Sequence, residues 1–246
     1  MKELRDKYQT QAVFFMDDDF LISKERVREF CRLYKEAGLD IIWGCQARVT
    51  AVDEELLKLL KEANCKQITF GIESGNERVL GMLKRNQTTV GQNKRAIRMV
   101  KEAGILSTGS FMIGNPGETE EEIEETRRFI IENDLDGFGI SITTPFPGTK
   151  LWEMCKEKKV IPDKINWKEF NLNNLTFALS EIPPERMEQI HQEFLNLVME
   201  RNPGMTPKNV LKVAIKHPGK AIKRVIRNPK AFSILIKRIF KKNEKN

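Results

Sequence analysis

Asp17, Asp18 and Asp19 follow directly on the apolar run Ala12-Val13-Phe14-Phe15-Met16. Three adjacent carboxylates repel unless a cation, an ammonium group, ligand hydroxyls or water screens them. The competing reading is a polar helix-entry loop with Asp as the cap. Four more clusters stand behind a short apolar run in the same way. Cys45-Gln46-Ala47-Arg48 follows Ile41-Ile42-Trp43, and its guanidinium suits a carboxylate, a phosphate or a surface ion pair. Gly71-Ile72-Glu73-Ser74-Gly75 follows Ile68-Thr69-Phe70. Its glycines let backbone approach a ligand, and Glu73 and Ser74 can bond ribose hydroxyls; a tight capped turn would look similar. Gly114-Asn115-Pro116-Gly117-Glu118-Thr119 follows Ser110-Phe111-Met112-Ile113. Small residues there could admit an adenine or a carboxylate at a helix start, or simply form a turn. Thr144-Pro145-Phe146-Pro147-Gly148-Thr149 follows Phe138-Gly139-Ile140-Ser141-Ile142, a rigid loop in which Phe146 lines a pocket or a structural corner.

The elements that must position these clusters are strands alternating with helices. Ser23 precedes a helix over Lys24–Ala37, Asp53 one over Glu54–Ala63, Thr89 one ending at Gly104, and Thr119 one with Glu120, Glu121 and Glu122 in its first turn, where carboxylates suit the helix dipole. Lys35-Glu36-Ala37-Gly38-Leu39 and Lys101-Glu102-Ala103-Gly104-Ile105 are one helix exit used twice, with Gly in the left-handed position after the last turn. Strands separated by helices must pair in parallel, because parallel neighbours need crossover connections. The expected fold class is therefore α/β, an open or partial βα barrel or a doubly wound sheet, between which periodicity does not choose, followed by C-terminal helices. In either, loops after the C-terminal strand ends carry the site, and all five clusters fall there.

Beyond the fifth run the pattern changes. Leu151–Lys159 reads as a helix, Trp167 and Phe170 as packing anchors, and Pro183-Pro184-Glu185 as the opening of a helix to about Arg201. The expected divisions are 1–160 for the barrel, 161–201 for an extension and 202–246 for a basic tail. Residues 1–200 hold 28 Lys and Arg against 34 Asp and Glu, while residues 201–246 hold 14 against 1. The net charge of +7 thus belongs to the tail and says nothing of the barrel's ligand. Short basic helices with apolar stripes there suggest an anionic membrane surface, and with Phe232 and Phe240 as the aromatics, nucleic acid is the weaker choice. No apolar run is long enough to span a bilayer and no signal core opens the chain, so the expectation is a cytoplasmic protein, peripheral to a membrane if the tail binds one. Cys31, Cys45, Cys65 and Cys155 are too scattered for a metal-binding spacing, so no metal ligand is assigned.

Taken in order, Phe15–Phe20, Trp43–Arg48, Phe70–Gly75 with Leu80 and Lys84, Phe111–Thr119 and Thr144–Thr149 resemble the radical S-adenosylmethionine (SAM) superfamily, in the branch whose members often carry a cobalamin-binding domain. The resemblance covers residues 11 to about 155. It implies a partial TIM-like barrel, a [4Fe–4S] cluster held by a CxxxCxxC loop after the first strand, and reductive cleavage of SAM for methyl transfer or another radical modification. It places SAM contacts on Asp17 and Asp18 (the amino group), Glu73 and Ser74 (the ribose), Met112, Gly114 and Glu118 (beside the adenine), and Arg48. The CxxxCxxC loop has no counterpart here. The expectation is that the first βα unit is lacking, that an upstream half supplies the cluster, and that this chain alone does not cleave SAM. Cobalamin is a further implied cofactor, and the substrate a small or lipid-like molecule. The rival reading is a non-catalytic module that binds SAM or a partner.

Overall fold

The computed structural model describes residues 1–162, 165–167, 170, 172 and 177–201. The chain divides into one unit over residues 1–195 and a second over 196–246. The basic tail at 202–246 lies outside the described residues.

The order is α1 (Lys2–Tyr8), β1 (Ala12–Phe15), α2 (Lys24–Glu36), β2 (Ile42–Ala47), a 3-10 turn (Val49–Ala51), α3 (Glu54–Glu62), β3 (Cys65–Glu73), α4 (Glu77–Lys84), α5 (Val90–Glu102), β4 (Leu106–Ile113), α6 (Glu120–Glu132), β5 (Gly137–Ile142), α7 (Lys150–Glu157) and α8 (Pro184–Arg201). The five strands are parallel and lie in sequence order, β1-β2-β3-β4-β5, so the sheet curls into a half-barrel. Within the described sheet β1 pairs with β2 and is an edge.

The helix caps anticipated from sequence are present. Ser23, Asp53, Thr89 and Thr119 each accept the backbone N–H three residues on, and Thr89 and Thr119 form full capping boxes with Gln92 and Glu122. Gly38 and Gly104 have φ of 55° and 69°, and each exit makes the same pair of backbone bonds: Gly38 N–H to Lys35 and Leu39 N–H to Tyr34, Gly104 N–H to Lys101 and Ile105 N–H to Val100. Thr119→Ala removes one arm of a capping box, and should lower stability by about 1 kcal/mol in urea unfolding.

β2, β3 and β4 run beyond their apolar runs because each has two different faces, while β1 and β5 keep to theirs within one residue. On β3, Ile68, Phe70 and Ile72 are buried against helices, while Gln67, Thr69, Gly71 and Glu73 are only partly covered. On β4, Phe111 and Ile113 are buried, while Leu106, Thr108, Ser110 and Met112 lie on the other face. The helix side holds the core. Phe15, Phe20, Phe30 and Trp43 pack with ring centroids 4.5–5.7 Å apart, and Trp43 Nε1–H donates to Ala63 O at 2.6 Å. Beyond β5, Trp167 stacks on Trp152 and Phe170 sits between Phe146 and Phe177, with Trp167 still 59% exposed.

Candidate functional site

The open side of the sheet is built by register. Gly44, Gln67 and Leu106 form one row across β2, β3 and β4; Gln46, Thr69 and Thr108 form the next; Gly71, Ser110 and Gly139 the one beyond. Thr69 and Thr108 hydroxyls lie 2.7 Å apart, and the Gln67 amide donates to both at 3.2 Å. Phe14, Met16, Ile42 and Leu106 leave 39%, 72%, 42% and 48% of their surface exposed on this side. The face is thus a mixed surface of hydroxyls, amides and exposed apolar groups. A Cβ at Gly44 would press on Gln67 O at 3.0 Å and push aside the Phe14 ring, whose Cδ2 lies 2.9 Å away.

Charge enters at the C-terminal ends of the strands. Asp17 and Asp18 are exposed after β1 and form no ion pair among the described residues. Asp19 turns inward, 9% exposed: it accepts the Arg48 backbone N–H at 3.4 Å and meets Arg48 Nε at 3.3 Å, while the Arg48 side chain stays 69% exposed. The Phe20 N–H bond to Gln46 O, 2.9 Å, ties this loop to β2.

Glu73 ends β3 at φ 65°, where the register with β4 slips. Its carboxylate folds back over Gly71, whose hypothetical Cβ would lie 2.6 Å from Oε1, and Lys84 Nζ donates to Oε1 at 2.9 Å. Met112 lies on the same face of the neighbouring strand. Glu73, Met112, Asp17, Asp18 and Arg48 therefore all fall at the C-terminal ends of β1 to β4, with Glu73 and Met112 on the open face. Ser74, Gly114 and Glu118 are buried. Ser74 shares a 3.1 Å hydrogen bond with Thr126 of α6. Gly114, at φ 75°, faces Met187 of α8. Glu118 Oε2 accepts from Asn115 N and Nδ2 at 2.9 and 3.1 Å, Oε1 has no hydrogen-bond partner among the described residues, and burial pushes the carboxyl up to about 7. Sequence reasoning passed over Gln67, Thr69 and Thr108, although period-two alternation along β3 marks the first two.

A curled parallel sheet with helices behind it and carboxylates at its C-terminal strand ends defines an α/β half-barrel, a class of fold in which ligands bind beyond the C-terminal ends of the strands. Residues 1–130 match the radical SAM superfamily, and the chain belongs to that superfamily. It is 32% identical over 225 residues to an uncharacterized methyltransferase of Pyrococcus horikoshii, covering 91% of this chain and 47% of that protein. It is 34% identical over 151 residues to an anaerobic magnesium-protoporphyrin IX monomethyl ester cyclase of Cereibacter sphaeroides, covering 60% of this chain and 24% of that protein. The chain thus spans about half, or less, of the curated relatives it matches. The structure of the radical SAM methyltransferase TsrM from Kitasatospora setae, with cobalamin and a [4Fe-4S] cluster bound, shares the fold: TM-score 0.57, 19% identity, 66% of this chain and 33% of that one.

The superfamily implies SAM and a [4Fe–4S] cluster, and the thiols here do not fit the cluster. Cys31, Cys45, Cys65 and Cys155 are all buried. Burial pushes the Cys31 thiol up to about 11, and a hydrogen bond to Cys65, reinforced by burial, pushes Cys45 far up, so both stay protonated. Among the described residues no three His, Cys, Asp or Glu side chains converge on a metal position. SAM fits better, because the rim offers acceptor-only carboxylates toward an ammonium group and hydroxyls. No helix among the described residues is long and apolar enough to cross a membrane.

Proposed function

We propose that this chain forms the SAM- and substrate-holding half-barrel of a radical SAM enzyme that transfers a methyl group or makes another radical modification, with the cluster ligands supplied by a separate segment. The observation that carries this reading is a coincidence of position. The strands matched to the superfamily present Asp17, Asp18 and Glu73, none buried, along one rim of an open face. The relatives support methyl transfer over cyclisation only by the length of the match.

When bound, SAM supplies the methyl group or the 5′-deoxyadenosyl group. The residues of this chain hold it. Asp17 and Asp18 take its ammonium group, Glu73 its ribose hydroxyls, and Arg48 its carboxylate, while Met112 lies beside its adenine. Ser74, Gly114 and Glu118 shape the two loops behind. Asp19 keeps Arg48 from closing over Asp17 and Asp18. The hydroxyl and apolar rows deeper on the face suit a small substrate with little charge, and β1, an edge of the sheet among the described residues, is where the cluster-bearing segment can pair in parallel.

Calorimetry with SAM tests the first half: the chain should bind it, and Asp18→Asn with Glu73→Gln should weaken binding at least tenfold. No binding by the wild-type chain removes the reading. Anaerobic iron–sulfur reconstitution tests the second half. The chain alone should stay colourless, and the chain joined to a CxxxCxxC-bearing segment of a relative should take up a cluster; a cluster on the chain alone overturns the assignment. Binding without cleavage in the joined protein would leave a SAM-binding module in place of an enzyme.

A further inference from the structure

We infer that Lys84 is a positioning residue of the ligand site: its ammonium holds Glu73 Oε1 and so aims Oε2 at the vicinal hydroxyls of the ribose. This rests on the SAM-binding reading and names how its sugar is recognised.

The position of a Cβ on Gly71 lies 2.6 Å from Glu73 Oε1 and 3.4 Å from Lys84 Nζ. Both charged atoms thus lie directly over β3 on the open face, and a side chain at position 71 would push the Glu73 carboxylate out of this place. Glu73 reaches this place through φ 65° and a register slip against β4, a backbone conformation that costs on the order of 1 kcal/mol in a residue with a Cβ. Strain of that kind persists where the surrounding structure imposes it.

Lys84 is delivered by rigid parts. It is the last residue of α4, whose start is fixed twice to α6: Asn76 Nδ2 donates to Glu125 Oε2 at 2.8 Å, and the Arg78 guanidinium binds Glu122 through two nitrogens at 2.5 Å each. Val79 and Leu80 bury the helix body. Its C-terminal end therefore arrives over the end of β3 by packing. The pair is partly covered, with Lys84 33% and Glu73 17% exposed, so water screens it only in part. The Lys84 bond occupies Oε1; Oε2 takes no hydrogen bond among the described residues. A carboxylate with one oxygen anchored and the other open is an acceptor of fixed direction, which is what distinguishes a diol from a single hydroxyl or none.

The test measures affinities of the full chain for SAM and for its 2′,3′-dideoxy analogue. The wild type should prefer SAM by about tenfold or more, the scale of losing hydrogen bonds to a charged acceptor. Lys84→Met should remove most of that preference by weakening SAM and leaving the analogue unchanged. Lys84→Arg should restore part of it. Glu73→Gln should remove the preference alone, and adding Lys84→Met to it should change nothing further, because the two act as one unit. Equal weakening of both ligands by Lys84→Met, or no weakening, overturns the inference, as does a wild type that binds SAM and analogue alike. A wild type that binds neither removes the SAM reading and the inference together.

Discussion

Gly75→Ala should destabilise the barrel by about 3 kcal/mol or more, the upper end of overpacking costs, although the change adds one methyl group. A Cβ at position 75 would stand 2.5 Å from Phe129 Cβ, 2.8 Å from Thr126 Cα and 3.0 Å from Glu125 O. Two of those atoms are backbone of α6 and none can swing away. The loop after β3 also loses its attachment if it retreats: Gly75 N–H donates to Thr126 Oγ1 at 3.0 Å, Ser74 Oγ bonds the same hydroxyl, and Asn76 N–H donates to Ser74 Oγ at 3.1 Å. Those three bonds hold the segment that carries Glu73 on one side and α4 on the other. Gly91→Ala is the control. Position 91 is exposed in α5, with Thr89 Oγ1 at 3.8 Å as its near neighbour, so alanine should be neutral or add about 0.5–1 kcal/mol through helix propensity. Urea unfolding of both variants checks the pair. Equal and small effects would mean that α6 does not press on the loop.

The same segment shows what a sequence discloses. The Gly-Ile-Glu-Ser-Gly cluster is visible by composition, and so is its place after a strand. Its division of labour is not. Glu73 reaches the open face through a left-handed φ, while Ser74 and Gly75 serve a helix about fifty residues later, a pairing no local pattern encodes. Local signals were legible wherever they are self-contained: the caps at Ser23, Asp53, Thr89 and Thr119 satisfy N–H groups three residues away, and the glycine exits at 38 and 104 need only their own helices. β2, β3 and β4 extend beyond their apolar runs, because polar residues of the open face lengthen them, while β1 and β5 match their runs to within one residue. Thr69 falls within an apolar run, but only the register sets it beside Thr108, with Gln67 one row away. α4 escaped notice because eight residues with a central glycine carry a weak periodic signal; packing on α6 stabilises it.

The second large effect is a pH dependence centred on Glu118. Its carboxyl titrates in the folded protein at about 7, raised from 4.5 chiefly by burial, although Asn115 and the Gly114 backbone favour the charged form. A raised carboxyl means that the folded state holds its proton where the unfolded chain has lost it. The stability this provides is whole below about pH 4.5, falls as pH rises toward 7, and is gone above. At about 1.4 kcal/mol per pKa unit, the span amounts to roughly 3 kcal/mol. Glu118→Gln keeps an acceptor for the Asn115 N–H groups and removes the titration. Relative to the variant, the wild type should therefore lose about 3 kcal/mol between pH 4.5 and 8, read from urea unfolding at several pH values. The comparison must be between the two proteins. His191, buried on α8 with its imidazole shifted down by burial, acts in the opposite sense, losing stability as pH falls below 6.5, and it cancels when the curves are subtracted. The repulsion between Glu122 and Glu118 exists in the wild type alone, so it stays in the difference and adds to the rise that burial causes. A flat difference would show Glu118 ionised at low pH like an exposed glutamate. The loop after β4 would then be open to water, with its carboxylate available to the rim that the folded geometry closes to it.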